Sequence, residues 1–274
     1  MELNFKEALA ALARAFPAYL FYAAALVLGG LLVLLEFVLA LFVLRLTRIT
    51  ASSAVLVATA VILLGGWLTL LAWRRFFIYR RQAAMFFLFS GTAPLQAAGQ
   101  ARHLFPAYSN WAGLNRRLKK ALSALQRSDE LSAVPAPTRG IVGRLARSTF
   151  SPAILSLAFA RGAEPEVAIR EGLALYWRHG GRARGQERRW LGFSVMGLAL
   201  LFLCLALPNW FFFKSAGAPV VIGIVLAAVI AWFLHQAFVA PLALAGVSAM
   251  LLAETRGREP DPDLCEKLAS MLAF

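Results

Sequence analysis

The sequence is poor in the residues that chemistry usually needs. It holds two cysteines, three histidines and three aspartates, Asp129, Asp261 and Asp263, in 274 residues. Cys204 stands in an apolar run and Cys265 in a polar tail, so both are expected to remain reduced thiols rather than pair. His103, His179 and His235 lie far apart, which leaves no metal-ligand spacing. Neither a Walker loop nor a G-x-G-x-x-G, G-x-S-x-G or H-E-x-x-H pattern occurs. The carboxylates Glu164 and Glu166 flank Pro165, where a helix start accounts for them. The expectation is a protein that is not an enzyme, with no metal and no cofactor.

Acidic charge is scarce as well, and the imbalance is local. Residues 74–189 carry 20 Lys or Arg against 6 Asp or Glu, and the rest of the chain carries 8 of each. A basic segment between apolar runs belongs on the cytoplasmic side by the positive-inside rule. The residues nearest the runs agree: Arg74, Arg75, Arg80 and Arg81 on one flank, Arg182, Arg184, Arg188 and Arg189 on the other. Arg-rich patches with aromatics also bind nucleic acid. Here topology and anionic lipid account for the charge, so no nucleic-acid partner is expected.

What the chain has in abundance is apolar length, with 60% of its residues hydrophobic. The run Pro17 to Leu44 is broken by a single charge, Glu36. As a helix its 28 residues reach about 42 Å, more than the roughly 30 Å hydrocarbon core of a bilayer. The acidic residues Glu2 and Glu7 ahead of so long a run argue for a retained first span rather than a cleaved signal.

Five regions follow in order. Residues 1–16 place Phe5, Leu9, Leu12 and Phe16 on one face, the pattern of an interfacial amphipathic helix. Residues 17–73 form a first transmembrane hairpin, turning near Thr47. Residues 74–189 form the basic cytoplasmic or interfacial helical region. Within it Phe76 to Phe89 reads as an interfacial helix, Leu114, Leu118, Leu122 and Leu125 stripe a basic amphipathic helix, and 128–140 reads as a linker. Residues 190–253 form a second hairpin, its last helix kinked at His235, Gln236 and Pro241. Residues 254–274 form a tail in which Asp261-Pro262-Asp263 starts a helix, with Leu264, Leu268 and Leu272 as its stripe.

Ile169-Arg170-Glu171-Gly172-Leu173-Ala174 can be laid on Phe5-Lys6-Glu7-Ala8-Leu9-Ala10. Each copy leads into a hairpin, so an interfacial helix followed by two spans is read as an internal repeat.

Candidate functional residues fall into three groups. Glu36 is the sharpest, because an intramembrane carboxylate costs about 2.5 to 3.5 kcal/mol on insertion scales and marks ion or proton paths by default. His235 and Gln236 form a second polar notch. Gly29-Gly30 and Gly65-Gly66 stand about 18 residues either side of the turn, at matching depth for close helix packing. Lipid phosphates are assigned to Arg74, Arg75, Arg80, Arg81, Arg116, Arg117, Lys119, Lys120, Arg188 and Arg189.

The expected fold is therefore all-α: a multi-pass protein of the inner or plasma membrane. Four transmembrane helices form two antiparallel hairpins, accompanied by interfacial and cytoplasmic amphipathic helices, with both termini in the cytoplasm. The order hairpin, cytoplasmic helices, hairpin is similar to that of membrane platform subunits of secretion and pilus systems. Two functions fit. One is a non-enzymatic subunit or scaffold of a membrane assembly, meeting anionic lipid and a protein partner. The other is a small homo-oligomeric transporter or channel that uses Glu36 and the His235/Gln236 notch.

Overall fold

The computed structural model describes residues 3–46, 51–125, 142, 145–146, 149–161, 165–215 and 219–271. Helix makes up 91% of the structure, and no strand occurs among the described residues. The expected turn near Thr47 and the linker at 128–140 lie outside those residues.

Twelve helices are described: α1 (Phe5–Arg14), α2 (Phe16–Leu46), α3 (Ala51–Trp73), α4 (Tyr79–Phe89), α5 (Pro94–Leu104), α6 (Tyr108–Leu125), α7 (Ala153–Ala160), α8 (Pro165–His179), α9 (Gly181–Ser215), α10 (Val220–Leu234), α11 (Ala240–Thr255) and α12 (Pro262–Met271). Two π-helical turns, Arg74–Ile78 and His235–Val239, join α3 to α4 and α10 to α11 without a break. Among the described residues three helices are long and apolar enough to cross a membrane: Phe16–Leu39, Gly181–Ser215 and Val220–Thr255. A shorter apolar stretch, Leu56–Thr69, lies in α3. These lengths point to a membrane protein.

The interruption expected at His235, Gln236 and Pro241 is a wide turn rather than a break. Proline has no N–H, and its ring crowds the carbonyl four residues back, here that of Ala237. Just ahead of it the Ala240 N–H donates to the His235 carbonyl, five residues back. The helix thus loosens by one residue where proline would strain it, and continues.

The chain divides into two compact units. The first, Met1–Tyr19, Tyr79–Phe193 and Pro241–Phe274, has an aromatic core. Phe87 stacks on Phe159 with ring centres 3.9 Å apart, and Trp111 meets Phe105 at 5.0 Å and Phe86 at 6.1 Å. Helix α4 packs on α5 and α7, and residues Ala83 to Phe89 are buried. That differs from the interfacial helix expected over Phe76 to Phe89: its aromatic end is core, because α7 and α5 offer it protein to pack on. Helix α7, apolar but for Ser156, is buried along almost its whole length against α8. Gly172 permits this approach, since a Cβ there would stand 3.2 Å from the Ala158 backbone nitrogen. An Arg161–Glu171 ion pair closes the same helix pair.

The leucine stripe of α6 also faces inward. Leu118, Leu122 and Leu125 are buried, while Arg116, Arg117, Lys119 and Lys120 are exposed. Helix α1 presents Ala8 and Ala11 to the unit, sets the Phe5 ring edge-on to Trp190 at 5.3 Å, and leaves Leu9 out. The tail helix behaves as its sequence reads. The Asp261 carboxylate accepts from the Asp263 and Leu264 N–H groups, and Leu264 and Leu268 bury against the unit's own helices, α8 among them.

The second unit, Leu20–Ile78 and Ser194–Ala240, is apolar inside and out. Its interior is made by Leu26, Val33 and Phe37 of α2, Ala58 and Ile62 of α3, and Leu226, Ala231 and Phe233 of α10, with α3 packed on α10. Large apolar side chains also cover its outside, among them Leu31, Leu35, Leu64, Trp67, Leu203 and Leu207. A helical surface apolar all round belongs in lipid rather than water. The order short helix, long helix, then a helix with a π turn holds for α1 to α4 and again for α8 to α11, two stretches that each contain one copy of the hexapeptide. In both copies the chain leaves the apolar unit within one residue of the π turn's end.

Candidate functional site

Glu36 and His235 both belong to the apolar unit, and each is held differently. Glu36 projects from α2 against α3. Its Oε1 lies 3.5 Å from the Thr69 hydroxyl, a long donor distance. Its Oε2 is buried with no hydrogen-bond partner among the described residues. A Cβ on Gly65 would fall on that carboxylate oxygen, so Gly65 is the residue that makes room for the acid. Buried polar atoms nearly always find partners, and one that does not needs a reason.

His235 is anchored more fully. Its Nε2 lies 2.8 Å from the Ser194 hydroxyl and 3.0 Å from the Ser194 carbonyl, and all of these atoms are buried. A carbonyl can only accept, so Nε2 carries a proton. That tautomer is the wrong one for activating the serine as a nucleophile, which would need a bare nitrogen toward the hydroxyl. The pair ties α9 to the start of the π turn. Gln236 is half-buried beside it. Ser194 escaped the sequence reading because it stands 41 residues from His235. The available signal was a lone hydroxyl in an apolar stretch.

The glycines do pack closely, chiefly against side chains rather than each other. A Cβ on Gly30 would stand 3.5 Å from Phe233, and one on Gly66 3.3 Å from Val229 and 3.8 Å from Val33. Gly29 is buried. Both hairpin glycine pairs thus contribute to seating α10 as well as pairing α2 with α3.

The cations assigned to lipid divide on inspection. Arg75, Arg81, Arg116, Arg117, Lys119, Lys120 and Arg189 are exposed, and Arg188 is half-buried. Arg74 lies in the first π turn. Arg80 is exposed, yet its guanidinium donates to the Pro106 carbonyl at 2.7 Å, an internal contact that competes with lipid. Arg184, read from sequence as a flanking charge, is instead core. It is 5% exposed, donates to the Trp177 carbonyl at 2.8 Å and lies 5.4 Å from the Trp177 ring centre. Nearby in sequence, Glu187 accepts from the Tyr176 hydroxyl at 2.8 Å. Glu254 caps α9 from the end of α11, accepting from the Arg182 and Ala183 N–H groups at 2.9 Å each. This group orders the start of α9 and was missed because capping by a residue 72 positions away leaves no local mark.

Among the described residues no group of three or more His, Cys, Asp or Glu could hold a metal ion. No family model matches the chain, and neither a curated protein nor a solved structure matches it.

Proposed function

We propose that the chain is a non-enzymatic subunit or scaffold of a membrane assembly, in the cell's inner or plasma membrane. In this reading the four stretches of the apolar unit, 20–46, 51–78, 194–215 and 220–240, are four spans arranged as two hairpins. The shortest has 21 residues, about 32 Å of helix, enough for a bilayer core. The aromatic unit and both termini then lie in the cytoplasm, where the excess of Arg and Lys belongs. Its basic face meets anionic lipid head groups and a protein partner.

The observation that carries this reading is α6. Its leucines are used up inside the aromatic unit, which leaves four cations outward on a rigid support. Each Lys or Arg close to an anionic surface contributes about 1 kcal/mol. Changing Arg116, Arg117, Lys119 and Lys120 together to Gln should therefore lower retention of phosphatidylglycerol by the purified full-length protein at least about tenfold. Native mass spectrometry reads this directly, and unchanged retention defeats the proposal.

Glu36 favours a second reading, a homo-oligomeric transporter or channel, because its unpartnered buried oxygen is what an ion or proton path needs. Four helices leave little room for a path in one copy, so this reading requires several copies around Glu36. In reconstituted vesicles Glu36→Gln should then abolish flux. The scaffold reading expects assembly and stability to be nearly unchanged by it.

A further inference from the structure

A cleft of about 480 Å³ opens in the aromatic unit where α1, the end of α4 and the end of α11 meet. Its walls carry charge of both signs: Arg14 and Glu7 from α1, and Arg256 from just past α11. All three are exposed, and none makes an ion pair among the described residues. The floor is apolar, with Phe89 and Leu252. At one edge the Ser90 hydroxyl donates to the Phe87 carbonyl at 2.6 Å and lies 3.2 Å from the Thr92 hydroxyl, so this edge is tied to the protein itself.

Opposite charges that share a cleft without touching are bridged by a ligand that carries both. Two guanidinium groups suit a phosphate, to which arginine donates in charge-assisted, often paired hydrogen bonds. A carboxylate two helical turns away suits an ammonium group. The apolar floor suits carbon rather than water. Arg14 also stands two residues before the first residue of the candidate span Phe16–Leu39, at the level where phospholipid head groups lie.

We propose that this cleft binds a phosphate ester bearing a primary ammonium group, the head group of an aminophospholipid, with phosphate at Arg14 and Arg256 and ammonium at Glu7. The proposal rests on the membrane reading above and adds a site and a head-group class to it. It lies apart in sequence from the basic face of α6, and the two separate experimentally.

The test uses the full-length protein in mild detergent, with phosphatidylethanolamine or phosphatidylglycerol added and bound lipid counted by native mass spectrometry. The parent should retain phosphatidylethanolamine preferentially. Arg14→Gln with Arg256→Gln should lower that retention about tenfold or more, the loss expected when charge-assisted bonds to phosphate go. Glu7→Gln should keep phosphate binding and lose the preference for phosphatidylethanolamine. Soluble glycerophosphoethanolamine is added as competitor: displacement of the lipid assigns the site to the head group alone, and failure to displace assigns it to the membrane-borne lipid. Either result supports the chemistry.

All three side chains are exposed, so helical circular dichroism should be unaltered and the variants remain interpretable. Retention of phosphatidylethanolamine by the double variant at the parent's level overturns the proposal. The α6 glutamine variant keeps the two ideas apart. If it alone loses phosphatidylglycerol while the cleft variants bind as the parent does, the membrane reading stands and the cleft assignment falls. If the cleft variants alone lose lipid, the cleft assignment stands and the lipid role of the α6 face falls.

Discussion

The two units pack their side chains in opposite ways. In the aromatic unit many large side chains are inside: Phe86, Phe89, Phe150, Tyr176 and Trp190 are each under 2% exposed, while most of the described lysines and arginines, Arg184 excepted, are not buried. In the apolar unit many of the inside positions are small, such as Ala58, Gly66, Ala227 and Ala231, and the leucines and phenylalanines face out. Water rewards the first arrangement by driving apolar area inward. Lipid gives no such reward, so helices there associate through close van der Waals approach, which small residues allow. The difference teaches that hydrophobicity alone misplaces segments of this chain, and that residue size within an apolar run carries the missing information.

Substitutions that exploit this contrast should differ in kind as well as size. The largest effect is expected from Trp190→Ala, which empties a fully buried site and should cost about 3 to 5 kcal/mol in denaturant unfolding. Next comes Leu203→Arg, on the outer surface of α9. In water such a change would be nearly neutral, but a span should lose about 2.5 to 3.5 kcal/mol in an insertion assay. Unimpaired insertion would remove α9 from the bilayer.

Two glycines give a finer comparison. A Cβ on Gly246 would fall on the indole of Trp190, a large ring with no free direction, so Gly246→Ala should destabilise by about 1 to 3 kcal/mol. A Cβ on Gly65 meets only the end of the Glu36 side chain, which can swing aside, so Gly65→Ala should cost less than Gly246→Ala. Equal losses would mean that the Glu36 carboxylate is held as firmly as the tryptophan. The smallest effect, about 1 kcal/mol, is expected of Ser194→Ala, which removes one hydroxyl partner while His235 keeps the Ser194 carbonyl.

Much of the fold was legible where the controlling interactions are local. The Asp261-Pro262-Asp263 start of α12 needs only neighbouring residues, and it formed as read. The long apolar helices followed from run length. What could not be read is what depends on distant partners. Arg184 carries a charge that looks like a topology signal until Trp177 and its carbonyl fold over it. The aromatic end of Phe76 to Phe89 matches a membrane interface in composition, and the presence of α5 and α7 makes it core. In the candidate site Glu36 was visible as a solitary charge. Its setting was not, because Thr69 lies 33 residues on and Gly65 acts through a missing side chain.

The native cysteines provide the most direct test of the central claim, that one unit lies in lipid and the other in cytoplasm. Cys204 is exposed on the surface of α9, so only lipid would shield it. Cys265 sits on α12, half-exposed, and its thiol is held above the ordinary cysteine range, first by burial and then by the nearby Glu171 carboxylate. Labelling at alkaline pH, where thiolate forms, compensates for that. A membrane-impermeant maleimide applied to sealed inside-out vesicles should modify Cys265 and leave Cys204 untouched until detergent is added. Ready labelling of Cys204 in intact vesicles would contradict the account.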